Sequence, residues 1–148
     1  MEKIILQTDG GSRGNPGPAG AGAAIFDEGG AVIKGASAFL GVMTNNEAEY
    51  KAVLLGLETL KKMFGKDKVK NLAVEVRLDS ELVCRQLNGE YQIKEEKLVP
   101  LFIKIWNLRV AEFKNLHFKH IPREENSVAD KLANEAMDRG GNDQGGLF

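Results

Sequence analysis

The sequence predicts a mixed α/β fold, a single sheet carrying helices on its faces. Two observations predict it. Three segments of strand-like alternation stand at the start of the chain, and helical and strand-like segments then alternate to its end. The size agrees, since 148 residues, 43% of them hydrophobic and 28% charged, suit one domain with its own core.

The elements follow in order. Lys3–Asp9 reads as an apolar strand, and the Gly- and Pro-rich run from Gly10 to Pro18 reads as loop. Gly20–Asp27 and Ala31–Leu40 read as strands joined by the turn Glu28-Gly29-Gly30, so the first three strands form an antiparallel meander. A helix is expected from Asn45 to Phe64, with Tyr50, Val53, Leu54, Leu57, Leu60 and Phe64 at helical spacing. Leu72–Leu78 reads as a buried strand and Ser80–Leu87 as a short helix ending at Asn88-Gly89. The next helix, Leu98–Phe113, places Leu101, Ile105, Leu108 and Val110 on its apolar side with Trp106 beside them. Leu116–Ile121 is the last strand. Ser127–Arg139 is the last helix, stopped by Gly140-Gly141. Residues 1–140 form the expected domain, and residues 141–148 a flexible tail.

Composition narrows the function. One cysteine, Cys84 after the apolar Leu82 and Val83, excludes an internal disulfide and reads as a core thiol in a reducing compartment. No run approaches the ~20 apolar residues of a membrane span and no secretory signal is visible, so a cytoplasmic monomer without a membrane partner is expected. The net charge of −1 is unevenly spread: residues 61–123 hold 14 Lys and Arg against 8 Asp and Glu. That basic middle permits nucleic-acid binding, although Lys61, Lys62, Lys66, Lys68 and Lys70 also read as a solvated helix end and loop.

Four carboxylates stand where such sheets gather function, at strand ends and facing helix termini. Asp9 and Asp79 each leave an apolar strand; Glu49 and Asp130 each lie in the opening turns of a helix. Each has a structural reading too: Asp9 bonding amides in a turn, Asp130 with Ser127 as a capping pair. Thr44 and Glu47 form another capping pair, so Glu47 reads as the structural acid. Glu49, on the face of Val53, Gly56 and Leu60, reads as the functional one. Acids gathered in one place repel each other, and a divalent cation relieves that repulsion. All-oxygen ligands without a His–Cys cluster favour Mg²⁺ or Mn²⁺, and two such ions ~3.5–4 Å apart suit phosphodiester cleavage.

The ordered motifs Thr8-Asp9-Gly10 with Gly14-Asn15-Pro16-Gly17-Pro18, Thr44-Asn45-Asn46-Glu47-Ala48-Glu49, Asp79-Ser80 and Ala129-Asp130-x-Leu132-Ala133 resemble the type 1 ribonuclease H family. The resemblance runs from Thr8 to Ala136. It implies a five-stranded mixed sheet in the order 3-2-1-4-5, strand 2 antiparallel, with helices on both faces. It also implies a metal-dependent endonuclease that hydrolyses the RNA strand of RNA–DNA hybrids, leaving 5′-phosphate and 3′-hydroxyl ends. The family's metal-binding acids fall on Asp9, Glu49, Asp79 and Asp130. Asp9 would bridge two Mg²⁺ ions, with Mn²⁺ able to substitute. Glu49 and Asp79 would serve the leaving-group side, and Asp130 the attacking water. Asn15, Asn45 and Asn46 match contacts to hybrid backbone and minor-groove base edges, Thr44 matches a contact to a DNA phosphate, and Gly10 and Gly11 would floor the shelf for the RNA strand.

The sequence departs from that family in three places. A mobile histidine common before the last helix has no clear match: His120 ends the last strand, and Arg123 or Glu124 lies nearer the position. Glu81 stands where relatives often carry an amide. The basic protrusion used to grip the hybrid is reduced to Lys94 and Lys97 interleaved with Glu95 and Glu96, which predicts salt-sensitive binding. At the end of the chain, Gln144-x-x-Leu147-Phe148 resembles the short peptide by which bacterial replication proteins dock on the sliding clamp. The rival readings are a non-catalytic hybrid-binding module, which gains nothing from clustered acids, and another phosphoryl-transfer enzyme on a related fold.

Overall fold

The computed structural model describes residues 2–146, with side chains through residue 140. Its five strands are β1 (Glu2–Ser12), β2 (Gly17–Asp27), β3 (Val32–Met43), β4 (Leu72–Leu78) and β5 (Asn115–His120), in the sheet order β3-β2-β1-β4-β5. β2 runs antiparallel to both β1 and β3, while β1–β4 and β4–β5 are parallel. The meander and the strand order are as expected. The β2–β3 turn closes through a bond from the Gly30 N–H to the Asp27 carbonyl (3.0 Å), with Gly30 at φ 90° where a side chain would be strained.

Five helices complete the chain: α1 (Asn45–Phe64), α2 (Lys66–Val69), α3 (Glu81–Leu87), α4 (Val99–Ala111) and α5 (Ser127–Gly146). α1 and α5 cover opposite faces of the sheet. A Cβ at Gly10 would collide with the Ala48 carbonyl of α1, whereas Cβ atoms at Gly20 and Gly22 would meet Ala133 and Ala129 of α5. Because Gly10 pairs with Ala21, the two-residue strand period turns Gly20 and Gly22 to the other side. Ile4, Leu6, Ile25, Tyr50, Leu57, Val74, Leu78, Leu101, Ile105 and Phe113 belong to one continuous core between sheet and helices. Among the described residues, no helix is long and apolar enough to cross a membrane.

Four expectations need correction. Gly10, Gly11 and Ser12 are strand rather than loop: they pair with Ala21, Gly20 and Ala19, and the loop shrinks to Arg13–Pro16, which contains a cis Asn15–Pro16 bond. Here glycine lets a strand touch a helix, a role that composition alone reads as a turn. β3 likewise runs on to Met43. In α4, Leu101 and Ile105 are buried as expected, but Trp106 and Val110 are half-exposed and point away from the core. α5 does not stop at Gly140-Gly141 but runs to Gly146. Gly140 lies against the Phe39 ring with no room for a side chain, so it serves packing rather than ending the helix. Leu147 and Phe148 of the expected clamp peptide lie outside the described residues, as does the side chain of Gln144.

Candidate active site

The site assembles at the C-terminal ends of the two parallel central strands. β1 carries Asp9 in its buried second half, and the chain leaves β4 through Asp79 before Ser80 caps α3, its hydroxyl accepting from the Val83 N–H (3.2 Å). Thr44 caps α1 in a complete box: its hydroxyl accepts from the Glu47 N–H (3.2 Å), and Glu47 Oε1 accepts from the Thr44 N–H (3.1 Å). That fixes the start of α1 and leaves Glu49, two residues on, buried against β1 at Gly10. Glu47 therefore occupies the cap and Glu49 the interior.

Carboxylate oxygens of Asp9, Glu49 and Asp79 lie within 4.8 Å of one another. Asp130, in the first turn of α5, adjoins them through a side-chain hydrogen bond with Asp9. Burial and then the charge of Asp79 push the Asp9 carboxyl up to about 8; the bond to Asp130 adds to this, and Arg123 opposes it. Burial, followed by Asp9 and Asp79, drives Glu49 well above the usual carboxylate range, against a bond from the Gly10 N–H. Glu49 Oε2 is buried with no hydrogen-bond partner. Three gathered carboxylates, one of them with an orphaned buried oxygen, and no His or Cys in the group among the described residues form an all-oxygen cradle fitted to a hard divalent cation.

An open cleft of about 320 Å³ lies over the acids, and its walls include Gly10, Gly11, Asn45, Arg123 and Asp130. Thus Asp9, Glu49, Asp79, Asp130, Gly10, Gly11, Asn45 and Arg123 converge on one cavity. Arg123, in a 3₁₀ turn before α5, is 82% exposed and stands 3.9 Å from Asp130 Oδ1. Thr44, Asn15 and Asn46 are not among the residues lining this cleft: Asn15 is joined to it through Asn45, whose N–H donates to Asn15 Oδ1 (3.1 Å), and Asn46, next to Asn45, donates to Glu95 (2.6 Å), which lines a separate pocket. His120 ends β5 exposed and outside the cleft lining, as does Glu124. The lysines at the end of α1 and in α2 pair away from these acids: Lys61 with Glu112 (2.9 Å), and Lys68 with Glu2 (3.7 Å).

A model of the reverse transcriptase-like family matches residues 7–136, which contain all four acids. The chain belongs to the ribonuclease H family. A ribonuclease H1 isolated from compost by a metagenomic approach superposes with a TM-score of 0.89 at 52% identity, over 95% of this chain and 99% of its own; its structure in complex with an RNA/DNA hybrid gives 0.88 at 50%, over 93% of this chain and 98% of that one. Ribonuclease HI of Halobacterium salinarum is 38% identical over 92% of this chain and 65% of its own length. The bifunctional protein Rv2228c of Mycobacterium tuberculosis is also 38% identical over 92% of the chain, but the match spans only 36% of that relative.

Within this ribonuclease H family member, sequence reasoning missed Asn126. Fully buried before α5, its Nδ2 donates both to the Thr8 carbonyl (2.8 Å) and to Asp79 Oδ2 (3.1 Å), while its carbonyl accepts from the Asp130 N–H (3.0 Å). One residue thereby joins β1, Asp79 and the helix bearing Asp130. Its signal was its place just before Ser127, a capping position where Asn is favoured. Between Leu87 and Glu96 the described chain forms no helix, so α3 passes to the 3₁₀ turn at Glu96–Leu98 without a helical protrusion.

Proposed function

We propose that this chain is an endoribonuclease that hydrolyses the RNA strand of RNA–DNA hybrids, leaving 5′-phosphate and 3′-hydroxyl ends. The convergence of Asp9, Glu49 and Asp79 within 4.8 Å, with Asp130 against Asp9, carries the reading. It is supported by likeness to a ribonuclease H1 determined with an RNA/DNA hybrid. Asp9, Glu49, Asp79 and Asp130 would hold two Mg²⁺ ions, with Mn²⁺ able to replace them, Asp9 contributing to both. Bound there, the ions supply Lewis acidity to the scissile phosphate and acidify a water.

The chain's own residues do the rest. Gly10 and Gly11 present backbone to the cleft; the missing side chain of Gly10 admits α1, while at Gly11 it leaves space beside Asn45 where the RNA backbone can approach the acids. Asn15, Asn45 and Asn46 stand along one side to read the minor groove, where the ribose 2′-OH separates RNA from DNA. Thr44 contacts a phosphate of the DNA strand. Arg123, exposed at the cleft wall, offers a permanent positive charge to an RNA phosphate and cannot serve as a titrating proton carrier. Burial first and the charge of Asp79 second raise the proton affinity of Asp9, and a cation held against its carboxylate would favour the charged form that binding needs.

The test is cleavage of labelled hybrid, duplex RNA, duplex DNA and DNA holding one ribonucleotide, each with Mg²⁺ and with Mn²⁺. Hybrid cut to 5′-phosphate ends is expected, and it should disappear in Asp9→Asn while hybrid binding persists. If no substrate is cut with either metal, the enzyme reading is wrong. A cytoplasmic location and docking of the Gln144-x-x-Leu147-Phe148 ending on a sliding clamp belong to the same proposal. Equal recovery of a clamp with and without Leu147-Phe148 would end the latter.

A further inference from the structure

Asn45, which lines the cleft, and Asn15 and Asn46, which adjoin it through Asn45, are held by partners that fix which end of each amide is engaged. The backbone N–H of Ser12 is a donor, and it meets Asn45 Oδ1 at 2.9 Å; the Ser12 hydroxyl meets the same oxygen at 3.1 Å. The backbone N–H of Asn45 is likewise a donor, and it meets Asn15 Oδ1 at 3.1 Å. A carboxylate can only accept from an amide, so Glu95 Oε1 at 2.6 Å must face Asn46 Nδ2. In Asn15 and Asn45 the oxygen is engaged and the NH₂ group is left to act. In Asn46 one of the two N–H donors is engaged, and Oδ1 is left together with the second N–H.

We infer that Glu95 is a positioning residue that fixes the orientation of the Asn46 amide, so that Asn46 offers its Oδ1 to the minor groove from a preset place beside the donors of Asn15 and Asn45. The inference rests on the hybrid-cleavage reading and adds to it what each amide can recognise. Donors from Asn15 and Asn45 suit the groove's base-edge acceptors, purine N3 and pyrimidine O2. The acceptor at Asn46 suits a minor-groove donor, of which a hybrid has two: the ribose 2′-OH and the guanine 2-amino group. A free amide can flip and accept either partner. One pinned by a charged acceptor keeps its Oδ1 in one place, where a donor can meet it without reorienting the amide.

Glu95 is built to hold that position. It is the N-cap of the 3₁₀ turn Glu96–Leu98, its carbonyl accepting from the Leu98 N–H (3.0 Å), so its backbone is anchored while its side chain crosses to the second residue of α1. Neighbouring Lys94, exposed, does not take the carboxylate away in an ion pair at 4 Å or less among the described residues. Glu95 touches no substrate in this account; it acts through Asn46.

The experiment compares wild type, Glu95→Ala and Glu95→Gln. Gln keeps an oxygen able to accept from Asn46 Nδ2, so it should rescue; Ala should not. KM for hybrid cleavage should rise roughly five- to tenfold in Glu95→Ala with kcat within about twofold, and should return to within about twofold of wild type in Glu95→Gln. Competition by hybrids with inosine for guanine, or with 2′-O-methyl ribose, identifies the donor. Whichever change weakens competition against wild type should lose its effect in Glu95→Ala; no effect of either change overturns the assignment. A lower KM in Glu95→Ala would mean that Glu95 merely repels the hybrid, and an unchanged KM that the contact is idle; both overturn the inference. Nitrogen-15 spectra supply an arm independent of activity: one Asn46 Nδ2 proton should be shifted downfield in wild type and Glu95→Gln but not in Glu95→Ala. Failure of wild type to cut any hybrid would strike the functional reading, while the absence of that shifted proton would strike the locking of Asn46 alone.

Discussion

Asn126 and Asp79 lie 47 positions apart in sequence, yet the buried Asn126 amide donates a 3.1 Å hydrogen bond to Asp79 Oδ2 and a second, 2.8 Å bond to the Thr8 carbonyl. Asp79 follows a strand end and carries no regular backbone restraint of its own. Asn126 supplies one by clamping it against the strand that bears Asp9.

Asn126→Ala should therefore cost both stability and activity. The loss of two buried bonds should destabilise by about 1–3 kcal/mol. Release of a carboxylate from its outer support should lower kcat by roughly 10- to 100-fold. Denaturant melts and hybrid-cleavage rates measure the two. Asn126→Asp should be worse at pH 7 than at pH 5, because it adds an acceptor against the Thr8 carbonyl and a charge beside Asp79.

Asp9 sets a pH dependence. Its carboxyl titrates at about 8 in the folded, metal-free chain, against an ordinary 3.8. Between those values the folded state holds a proton that the unfolded state has released, so this group's contribution to stability falls as pH rises from about 4 to about 8. Asp9→Asn removes the effect. In chelator, the stability of the variant relative to wild type should rise from pH 5 to pH 8 by roughly 3–4 kcal/mol. A constant margin would contradict the assignment.

The same chemistry predicts the response to metal. Cations must displace the proton on Asp9, so Mg²⁺ should raise the melting temperature of wild type more at pH 8 than at pH 5.5, and chelation should reverse it. Asp9→Asn should show little of either response. Calorimetry across a Mg²⁺ series decides.

Glu47 and Glu49 should separate cleanly. Glu47→Ala breaks the capping box with Thr44 and should cost about 1 kcal/mol while leaving kcat within about twofold. Glu49→Gln removes a buried charge without a partner for its second oxygen, so the metal-free fold should be as stable as wild type or more so. Its kcat should fall by more than the roughly 100-fold that outer-support losses reach. Reversed results would exchange the two roles.

Gly22 is the position where backbone contact decides the site. A Cβ there would strike the Ala129 carbonyl, next to Asp130, and Leu132. Gly22→Ala should displace the first turn of α5, destabilise by roughly 2 kcal/mol or more, and lower activity by moving Asp130 from Asp9. Substitution at Gly29, where an added Cβ meets only the Asp27 carboxylate at an ordinary 3.4 Å, should be mild by comparison.

Strand alternation, helical spacing and the turn at Glu28-Gly29-Gly30 are local signals, and they were enough to place the elements. The four acids were legible because each stands directly beside such a signal, a strand end or a helix start. The Thr44–Glu47 box was legible for the same reason, since capping spans only three residues. Gly10 and Gly11 were misread as loop, and Gly140 as a helix stop. A glycine that turns the chain and one that admits a neighbouring backbone look alike until the neighbour is known. Trp106 and Val110 were misplaced because helical spacing defines a stripe without saying which side of it meets the sheet.

From residue order alone came the types, the spacing and the local settings of Asp9, Glu49, Asp79 and Asp130, and with them the chemistry of an all-oxygen site. Only the tertiary structure drew three of these acids within 4.8 Å of each other, set Asp130 against Asp9, and gave Asn126 and Glu95 their work. The physical reason is range. Periodicity and capping act over a few residues, whereas pKa shifts, buried hydrogen bonds and backbone contacts arise between groups that the chain brings together from 30 to 118 positions apart.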